Sequence, residues 1–532
     1  MTVTEPTVEG TAQKPPVHTR ALIIGTGFSG LGMGIALQRQ GVDFLILEKA
    51  DDVGGTWRDN SYPGCACDVP SHLYSFSFEP KATWSKLFSP QPEIFDYLQG
   101  VTDKYGLRRY IRFNSFVQRA HWDDSAQRWH VFTDTGEEYM AQFLISGAGA
   151  LHIPSLPELA GIDEFTGSAF HSARWDHDVD LTGKRVAVIG TGASAIQIVP
   201  GIIDDVAELQ LYQRTPPWVV PRPDEPFPGW LKTAFATVPG LRLGVRSGIY
   251  WFLEGLGYAM TKRPSLLRAV EAVAKWNIRH NVPDTDLRRR LTPSYRAGCK
   301  RILYSPDYYQ AVADPKTTLI TDKIVRVTPT GIVTADGTER PVDVIVFATG
   351  FHVIDSYTYF EIKGPRGENL VDRWNREGMA ALRGIAVADM PNLFFLLGPN
   401  TALGHTSVVI MIESQIRYVA QAIAAADKAG AQALAPTRAA QDRYNHELQE
   451  KLAGSVWNTG GCRSWYLDER GVNRTLWSGM TWQYWLATRE LKPSEYRFWG
   501  GRAGDEAFAR RANGSDTRTH DVVLPGDVAP QG

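Results

Sequence analysis

Short apolar runs alternate with stretches of helical periodicity in two separate parts of the chain. Residues 20–48 read RALIIGTGFSGLGMGIALQRQGVDFLILE, in which the strand-like runs ALII and FLIL flank a helical stretch. Residues 185–214 repeat this plan, from RVAVIG to ELQLYQ and Arg214. Buried strands that alternate with helices are typical of parallel, doubly wound sheets. The pattern therefore predicts an α/β protein with two Rossmann-like dinucleotide-binding domains.

Other segments indicate how the two units are joined. QFLISGAGA (142–150) and VDVIVFATGF (342–351) are each short apolar runs, predicted as strands that return to a sheet edge. Polar composition at both ends of the chain predicts disordered tails. We predict tails over 1–18 and 512–532, a first domain over 19–155 and 346–511, and a second domain over 156–345 with a helical insertion over about 228–290.

Net charge and apolar runs exclude several classes of protein. A net charge of −2 over 532 residues gives no electrostatic case for binding nucleic acid. Residues 1–18 lack the apolar core of a signal peptide, and no run approaches the ~18 apolar residues of a spanning helix. The nearest, GIYWFLEGLGYAM (248–260), is interrupted by Glu254. We predict a buried amphipathic helix there, with contact to a membrane surface as the alternative.

The chain has four cysteines, too few for a disulfide framework at this length. Cys65 and Cys67 are separated by one residue, whereas a redox-active C-x-x-C has two. No second pair completes a metal site with them. We predict that Cys65, Cys67, Cys299 and Cys462 are reduced thiols, that the protein is cytoplasmic, and that it holds no metal.

The first strand-to-helix junction carries the motif Gly25-x-Gly27-x-x-Gly30. The three glycines permit a tight turn, close approach of backbone to a pyrophosphate, and close packing of helix on strand. Glu48 ends the next strand, at the distance expected for an acid that binds a ribose hydroxyl. This context favours a dinucleotide site over a plain glycine turn. Its predicted cofactor contacts are Gly25, Gly27, Phe28, Gly30, Glu48 and Lys49.

The second motif, Gly190-x-Gly192-x-x-Ala195, has a basic residue where the first has Glu48. A guanidinium at Arg214 can bind the 2′-phosphate of NADPH, whereas a carboxylate would repel it. The alternative is an ordinary surface arginine. One acidic and one basic site together predict FAD in the first domain and NADPH in the second. The predicted NADPH contacts are Gly190, Thr191, Gly192, Ser194, Arg214 and Thr215.

The segment GGTWRDNSYPGCACD (54–68) follows the first unit closely. Its glycines allow close approach to a ligand, and its aromatic rings offer flat surfaces to a flavin. Packing in the core is the alternative for those rings, and spacing does not separate the two. The predicted contacts to the flavin cofactor in this segment are Thr56, Trp57, Tyr62 and Asp68.

Between the two glycine motifs lies FTGSAFHSARWD (165–176). With this segment the chain resembles the type I Baeyer–Villiger monooxygenases, whose fingerprint F-x-G-x-x-x-H-x-x-x-W precedes Pro or Asp. The second family signature, G-G-x-W-x-x-x-x-Y/F-P-G with a downstream Asp, is matched from Gly54 to Asp68. The resemblance runs from about residue 20 to beyond 400. The fingerprint positions, matched without exception, are Phe165, Gly167, His171, Trp175 and Asp176.

The resemblance implies an enzyme that uses NADPH and O₂ to insert one oxygen atom next to a ketone carbonyl. An ester or lactone would form through a flavin C4a-peroxide. In AGCKRILYS (297–305) the family places a catalytic arginine after a lysine, which maps to Arg301 and Lys300, the latter a second contact to the NADPH phosphate. The signature aspartate, Asp68, would pair with Arg301. A permanently charged guanidinium can stabilise an anionic peroxide and adduct.

By the same resemblance the linker couples the FAD and NADPH domains, with His171 and Trp175 fixing the joint. The C-terminal third, including WNTGGCRSWYLDERG (457–471), departs from the substrate loop of the cyclohexanone and phenylacetone enzymes and is nearer the hydroxyacetophenone-type branch. His405 is either close to the flavin edge or a structural histidine. The ketone and the oligomeric state are left open.

Three other functions compete with this interpretation. A flavin N- or S-monooxygenase would share the two-domain build but usually ends the linker motif in Tyr or Phe and lacks the Lys-Arg pair. A flavoprotein disulfide reductase would need a C-x-x-C. A non-catalytic NADPH-responsive flavoprotein would show no ketone-dependent oxidation of NADPH.

Overall fold

The computed structural model describes residues 15–353 and 360–500. Most of the predicted N-terminal tail and all of the tail predicted over 512–532 lie outside the described residues. The first strand begins at Val17, inside the segment predicted as the N-terminal tail.

The first domain is built from the N-terminal part of the chain and from a later part that returns to it. The N-terminal elements are β1 (Val17–Ile24), α1 (Phe28–Gln40), β2 (Phe44–Leu47), α2 (Thr56–Asp59), α3 (Gln91–Lys104), β3 (Ile111–Arg112), β4 (Val117–Asp123), β5 (Arg128–Thr133) and β6 (Glu138–Ser146).

The second domain and its insertion occupy the middle of the chain. The elements are β7 (Ser168–His171), β8 (Arg185–Ile189), α4 (Ala195–Ile202), β9 (Glu208–Tyr212), β10 (Val219–Val220), α5 (Gly229–Thr237), α6 (Leu241–Thr261), α7 (Leu267–Asn281), α8 (Thr285–Leu291), β11 (Leu303–Tyr304), α9 (Tyr308–Ala313), β12 (Thr317–Ile320), β13 (Ile324–Thr328), β14 (Gly331–Thr334), β15 (Glu339–Pro341) and β16 (Val344–Phe347).

The chain then returns to the first domain and continues into the C-terminal segment. These elements are β17 (Glu361–Lys363), α10 (Leu370–Glu377), β18 (Leu393–Phe395), α11 (Val408–Ala429), β19 (Ala433–Pro436), α12 (Arg438–Ala453), α13 (Val456–Thr459), α14 (Thr481–Thr488) and β20 (Tyr496–Trp499).

Two sheets organise the molecule, and their strand pairing confirms the predicted α/β class. The first has eight strands in the order β17-β4-β5-β6-β1-β2-β3, with β18 also paired to β6. The second has the order β12-β9-β8-β16-β7, and all of its pairs are parallel. The predicted returning strands lie beside the first strands of their units, because β6 pairs with β1 and β16 pairs with β8.

Helices α5 to α8 fill the segment predicted as a helical insertion. Helix α6 contains the segment 248–260 and buries one side, including Leu253, Glu254 and Met260. The other side is not polar, since Trp251 is 47% exposed and Phe252 77%. The prediction of a buried amphipathic helix therefore describes only one side of α6.

Helix α11 packs against α1 in the core of the first domain. A Cβ at Gly32 in α1 would lie 2.6 Å from Ile416 Cδ1, so the two helices approach closely. By length and apolar composition α11 meets the requirements of a membrane-spanning helix. Twelve of its residues are buried within the protein, which identifies it as a core helix.

Cys299 and Cys462 form a disulfide, with their Cα atoms 6.1 Å apart, so the prediction of four reduced thiols is wrong for this pair. The two residues are 163 positions apart. They meet because the C-terminal segment folds back onto residues 297–305, which spacing along the sequence does not reveal. Cys65 and Cys67 are free and buried. The cytoplasmic location, inferred partly from reduced thiols, stays a prediction.

Candidate active site

A cleft of ≈ 2470 Å³, counting space open to solvent, follows the carboxyl ends of β1, β2 and β6. It extends past residues 54–68 to the start of α4, to Arg301 and to the C-terminal segment. It therefore joins the first glycine motif to the residue predicted to be catalytic. The sequence-predicted residues that line it are Gly25, Gly27, Phe28, Glu48, Lys49, Thr56, Trp57, Tyr62, Asp68, Ser194 and Arg301.

The glycines of the first motif have the backbone roles expected of them. Gly25 has a φ of +94°, a conformation that side chains disfavour. A Cβ at Gly30 would lie 1.8 Å from the carbonyl oxygen of Gly25, so only glycine lets α1 follow the strand so closely. Among the described residues no side chain caps the N-terminus of α1. Its N–H groups therefore face the cleft in a way that fits a pyrophosphate.

Glu48 is 3% exposed and lies at the carboxyl end of β2. It accepts hydrogen bonds from the backbone N–H of Thr26 (3.0 Å) and from Thr26 Oγ1 (2.6 Å). Arg58 Nη1 lies 3.2 Å from its other oxygen. The carboxylate is thus held in place beside the glycine turn, as a ribose-binding acid requires. Arg58 was not among the predicted site residues, although it lies within the signature segment.

The aromatic residues of the signature segment line the cleft and are also packed in the core. Trp57 is 8% exposed, and its Nε1–H donates a hydrogen bond to the hydroxyl of Tyr74 at 3.1 Å. Tyr62 is 7% exposed and donates to Gln197 Oε1 at 3.0 Å. Packing in the core is therefore observed for both rings, and their contact with a flavin stays a prediction that their position in the wall of the cleft allows.

Gln197 is a residue that sequence reasoning missed. It lies on α4 of the second domain, and its Nε2 donates to the carbonyl of Ala66 at 3.0 Å, while its Oε1 accepts from Tyr62. A Cβ at Gly64 would lie 2.6 Å from the carbonyl oxygen of Gln197. These contacts fasten the signature segment of the first domain to the second. In the sequence, Gln197 could have been recognised as a polar residue within the otherwise apolar helical run AIQIVPGI.

Asp68 and Arg301 form a two-pronged ion pair in the cleft. Arg301 Nη2 donates to Asp68 Oδ1 at 2.8 Å, and Nε donates to Oδ2. Arg301 Nη1 donates to the carbonyl of Leu403 at 3.2 Å. The Arg301 side chain keeps 31% of its surface exposed. Burial opposes the charge of Arg301, but the neighbouring carboxylate outweighs it and raises the pKa of the guanidinium.

The C-terminal segment supplies the wall of the cleft beside Arg301. Tyr466 is 3% exposed, and burial raises its pKa to about 12, so its hydroxyl stays protonated at neutral pH. Trp465 lines the cleft and is 46% exposed. The Cys299–Cys462 disulfide ties this segment to the stretch of chain that carries Arg301, just before β11. Neither aromatic residue was predicted as part of the site.

The second glycine motif follows β8 at its carboxyl end, and Ala193 and Ser194 within it line the cleft. Gly190 has a φ of +117°, and a Cβ at Gly192 would meet open space, which leaves room for a phosphate. Thr191 Oγ1 donates to the carbonyl of Thr215 at 2.9 Å and so ties the glycine loop to the end of β9. Arg214 is exposed.

Lys300 lies near Arg214 at this second site. Burial lowers the pKa of Lys300, and the positive charge of Arg214 lowers it further. Two neighbouring cations raise the local positive potential, which suits a dianionic 2′-phosphate. The glycine loop, Arg214 and Thr215 therefore lie at the carboxyl end of the second sheet, and Lys300 is close enough to Arg214 for the two charges to interact.

The linker residues lie where the chain leaves and re-enters the second domain. His171 is 3% exposed at the end of β7 and contacts the carbonyl of Gly350 through Nε2 at 3.0 Å. Its Nδ1 accepts a hydrogen bond from the N–H of Ala173, so Nε2 carries the proton that is donated to Gly350. Burial lowers the pKa of His171 to about 4. The ring is therefore neutral and joins the two crossing segments.

The other fingerprint residues contribute packing at the same joint. Phe170 and Trp175 pack edge to face with centroids 5.1 Å apart. A Cβ at Gly167 would lie 2.2 Å from the carbonyl oxygen of Asp343 and 2.7 Å from the ring of Phe165. Asp176 caps a turn by accepting from the N–H of Asp178 at 3.0 Å. None of these side chains lines the cleft.

His405 does not line the cleft. Its side chain is fully buried, its Nε2 lies 3.7 Å from Glu254 Oε1, and its ring packs against Gly257 of α6. Its position fits the structural alternative rather than contact with a cofactor. Within the described residues, no group of three or more His, Cys, Asp or Glu side chains is arranged to hold a metal ion.

The fold and both glycine sites define a flavin- and nicotinamide-dependent oxidoreductase of the two-dinucleotide-domain type. Residues 18–234 match the family model described as "Flavin-binding monooxygenase-like". The chain is 48% identical to a Baeyer-Villiger monooxygenase of Pseudomonas aeruginosa, over 90% of this chain and 91% of that one. It is 47% identical to a Baeyer-Villiger monooxygenase of Streptomyces coelicolor, over 90% and 92% respectively.

Solved structures of monooxygenases are similar to this chain over most of its length. Cyclohexanone monooxygenase from Rhodococcus sp. Phi1 bound to NADP⁺ has a TM-score of 0.83 at 28% identity, covering 91% of this chain and all of that one. Oxidised steroid monooxygenase bound to NADP has a TM-score of 0.82 at 32% identity, with the same coverage. The chain belongs to the Baeyer–Villiger monooxygenases, and the predicted FAD- and NADPH-dependent monooxygenase is confirmed. The N- or S-monooxygenase alternative is not favoured.

Proposed function

We propose that Arg301 and Asp68 are the catalytic pair of this Baeyer–Villiger monooxygenase, and that the ≈ 2470 Å³ cleft receives FAD and the ketone. The two-pronged contact between Asp68 and Arg301 carries the proposal. Arg301 provides a permanent positive charge in the cleft, and the Asp68 carboxylate from the other domain holds its guanidinium in position. A purely structural ion pair would have no need to lie in the wall of the cleft beside the first glycine motif.

The residues fit FAD along the length of the cleft. The uncapped N-terminus of α1 would hold the pyrophosphate, Glu48 would bind the ribose, and Trp57 and Tyr62 would border the ring. NADPH would bind at the second glycine loop, with Arg214 and Lys300 on its 2′-phosphate. When bound, FAD and NADPH supply hydride transfer and the activation of O₂.

The protein's own contribution is electrostatic. Insertion of oxygen next to a carbonyl passes through states with negative charge on oxygen, and Arg301 presents a fixed cation to that charge. Asp68 and the carbonyl of Leu403 fix the guanidinium through three hydrogen bonds, so little reorganisation is needed during reaction. Tyr466 and Trp465 line this end of the cleft, where they would help to keep water from the reaction.

The linker would transmit domain movement between the two cofactors. His171 bridges the crossing segments, and Gln197 fastens the signature segment to α4. His171→Ala is expected to slow reduction of the flavin while FAD stays bound. Loss of FAD with normal kinetics after reconstitution would instead identify a packed linker.

The substrate is proposed to be an apolar ketone, because the cleft is lined largely by apolar and aromatic side chains. The experiment supplies cyclic, aryl and long-chain ketones with NADPH under ¹⁸O₂ and follows the product by mass spectrometry. The expected product is heavier than the ketone by one labelled oxygen atom. Oxidation of NADPH at a rate that no ketone changes, with peroxide as the only product, would contradict the proposal.

A further inference from the structure

Large exposed hydrophobic side chains are concentrated in the helical insertion. Of the sixteen in the described residues, nine fall between positions 230 and 276. Single exposed apolar residues are normal, but such a concentration marks an interaction surface. The nine are Trp230, Val238, Leu243, Trp251, Phe252, Tyr258, Leu266, Val273 and Trp276.

Helix α6 presents these residues on one side. Its exposed positions are Leu243, Gly244, Gly248, Trp251, Phe252, Gly255 and Tyr258. Their spacing of three and four residues follows the turn of an α-helix, so they form a continuous stripe. The stripe carries no charge over its length. Lys262 and Arg263 come directly after the helix and are both exposed.

Helix α7 presents a stripe of a different kind. Its exposed positions include Arg268, Val273, Lys275, Trp276 and Arg279, which recur at helical spacing. Leu267, Ala274 and Ile278 lie on its buried side. An exposed helical side that mixes tryptophan with basic residues is typical of helices at a membrane interface.

The helical insertion carries an excess of basic residues. Residues 229–281 contain eight Lys and Arg and two Glu, whereas the whole chain has a net charge of −2. Both glutamates are engaged within the protein. Glu254 is 3% exposed and accepts from Thr481, and Glu271 pairs with Arg296 at 3.0 Å. The exposed charged side chains in 229–281 are therefore all cations: Lys262, Arg263, Arg268, Lys275 and Arg279.

We propose that helices α5 to α7 form a docking surface for the headgroup region of an anionic lipid membrane. The exposed aromatic side chains would enter the interface, and the five cations would contact lipid phosphates. A symmetric pair of two copies would bring this positive surface against itself, which like charges disfavour. The binding is peripheral, because neither stripe is apolar around the whole helix.

Helices α6 and α7 pack against the segment that carries Arg301, the proposed catalytic residue. A Cβ at Gly298 would lie 3.3 Å from Leu267 Cδ1 and 3.5 Å from Met260 Cε, so α6 and α7 both pack on the segment that leads to Arg301. A docked enzyme would hold its cleft near lipid, where apolar ketones concentrate. The access of the cleft to apolar ketones rests on the proposed function, whereas the binding of the protein to a membrane does not.

The test measures binding of purified full-length protein to sedimented vesicles, without substrate or NADPH. Vesicles of phosphatidylcholine alone are compared with vesicles that contain phosphatidylglycerol. We expect binding only with the anionic lipid, a blue shift of tryptophan emission, and loss of binding at high salt. Phe252→Ser with Trp276→Ser should weaken binding roughly tenfold or more. Arg268→Gln with Lys275→Gln should weaken it about fivefold per cation.

Two matched controls use exposed residues outside the insertion. Leu156→Ser removes an apolar side chain that is 57% exposed. Arg326→Gln removes an exposed cation. Both control variants should bind vesicles as the wild type does. Circular dichroism and thermal melting confirm that all variants fold. The proposal is overturned if wild-type protein fails to bind anionic vesicles. It is equally overturned if the insertion variants only split a dimer, because a second copy would then cover the surface.

Discussion

Asp68 accepts two hydrogen bonds from the guanidinium of Arg301, although 233 residues separate them in the sequence. Asp68 belongs to a segment of the first domain, and Arg301 follows the insertion of the second. The ion pair therefore forms only when the two domains are correctly placed. Any movement between the domains changes the position of the charge on which the proposed chemistry depends.

Removing the guanidinium in Arg301→Ala is expected to abolish insertion of oxygen while leaving FAD bound. The cofactor contacts at Gly25 and Glu48 are elsewhere in the cleft. Loss of a preorganised charge of this kind costs roughly 10²–10³ in rate or more. The measurement compares NADPH consumed, peroxide released and ester formed. Peroxide should replace ester in this variant.

Two further variants separate charge from geometry. Arg301→Lys keeps a cation but cannot make the two-pronged contact to Asp68, so partial activity is expected. Asp68→Asn should be milder than Arg301→Ala, because it leaves the guanidinium present but less well held. Ester yield at the wild-type level from Arg301→Ala would refute the assignment.

Arg214→Ala should weaken use of NADPH selectively. Loss of one charge-assisted contact to phosphate costs about 1.5–3 kcal/mol, or roughly ten- to a hundredfold in KM. Kinetics with NADH should barely change, because NADH lacks the 2′-phosphate. Arg326→Ala, which removes an exposed arginine on β13 of the same domain, is the control. Equal effects on both coenzymes would show that Arg214 does not read the phosphate.

The features that the sequence predicted are those fixed by local backbone requirements. Gly25 has a φ of +94°, which favours glycine. Helix α1 nearly touches that turn at Gly30, where only glycine fits. Motif spacing therefore predicted both strand-to-helix junctions at which the dinucleotides are proposed to bind. The pairing of Asp68 with Arg301 was predicted through resemblance, since no local rule connects residues 233 positions apart.

The features that escaped prediction depend on packing between distant segments. Gln197 reaches the signature segment only because α4 lies against it across the domain boundary. The Cys299–Cys462 disulfide forms because the C-terminal segment returns to residues 297–305. The exposed stripe of α6 was foreseen only as the alternative of contact with a membrane surface, because an apolar segment indicates burial when its neighbours are unknown.

The buried neutral state of His171 predicts acid sensitivity. Its pKa is about 4 in the folded protein and about 6.5 when unfolded, so the unfolded chain binds more protons between these values. Its stabilising contribution is complete above pH 6.5 and is lost as the pH falls toward 4. The loss is at most about 3 kcal/mol.

Thermal unfolding of wild type and His171→Asn from pH 8 to pH 4 tests this. Their difference in Tm should be largest at pH 8 and shrink as the pH falls. His72 and His152, whose pKa values burial also lowers to about 4, remain in both proteins and cancel in the comparison. A difference that is constant with pH would mean that His171 does not titrate as its burial implies.

The disulfide predicts a reductant-dependent stability. Cys299 lies two residues before Arg301, and Cys462 lies three residues before Trp465 in the wall of the cleft. The bond closes a loop between positions 163 residues apart, and such bonds typically stabilise a fold by about 2–4 kcal/mol. Dithiothreitol should therefore lower the Tm of protein purified without reductant. The double variant Cys299→Ser, Cys462→Ser should start at the lower Tm and show no further change.

The same proteins report whether the bond supports the site. If the disulfide holds the Trp465–Tyr466 wall against Arg301, reduced wild type and the double variant should release more peroxide per NADPH than oxidised wild type. Cys65→Ser is the control for loss of a buried thiol, since burial raises the pKa of Cys65 to about 12 and keeps it unreactive. Titration of unfolded, non-reduced protein should find two thiols. Four thiols, with a Tm that reductant does not change, would show that Cys299 and Cys462 lie close together without forming a bond.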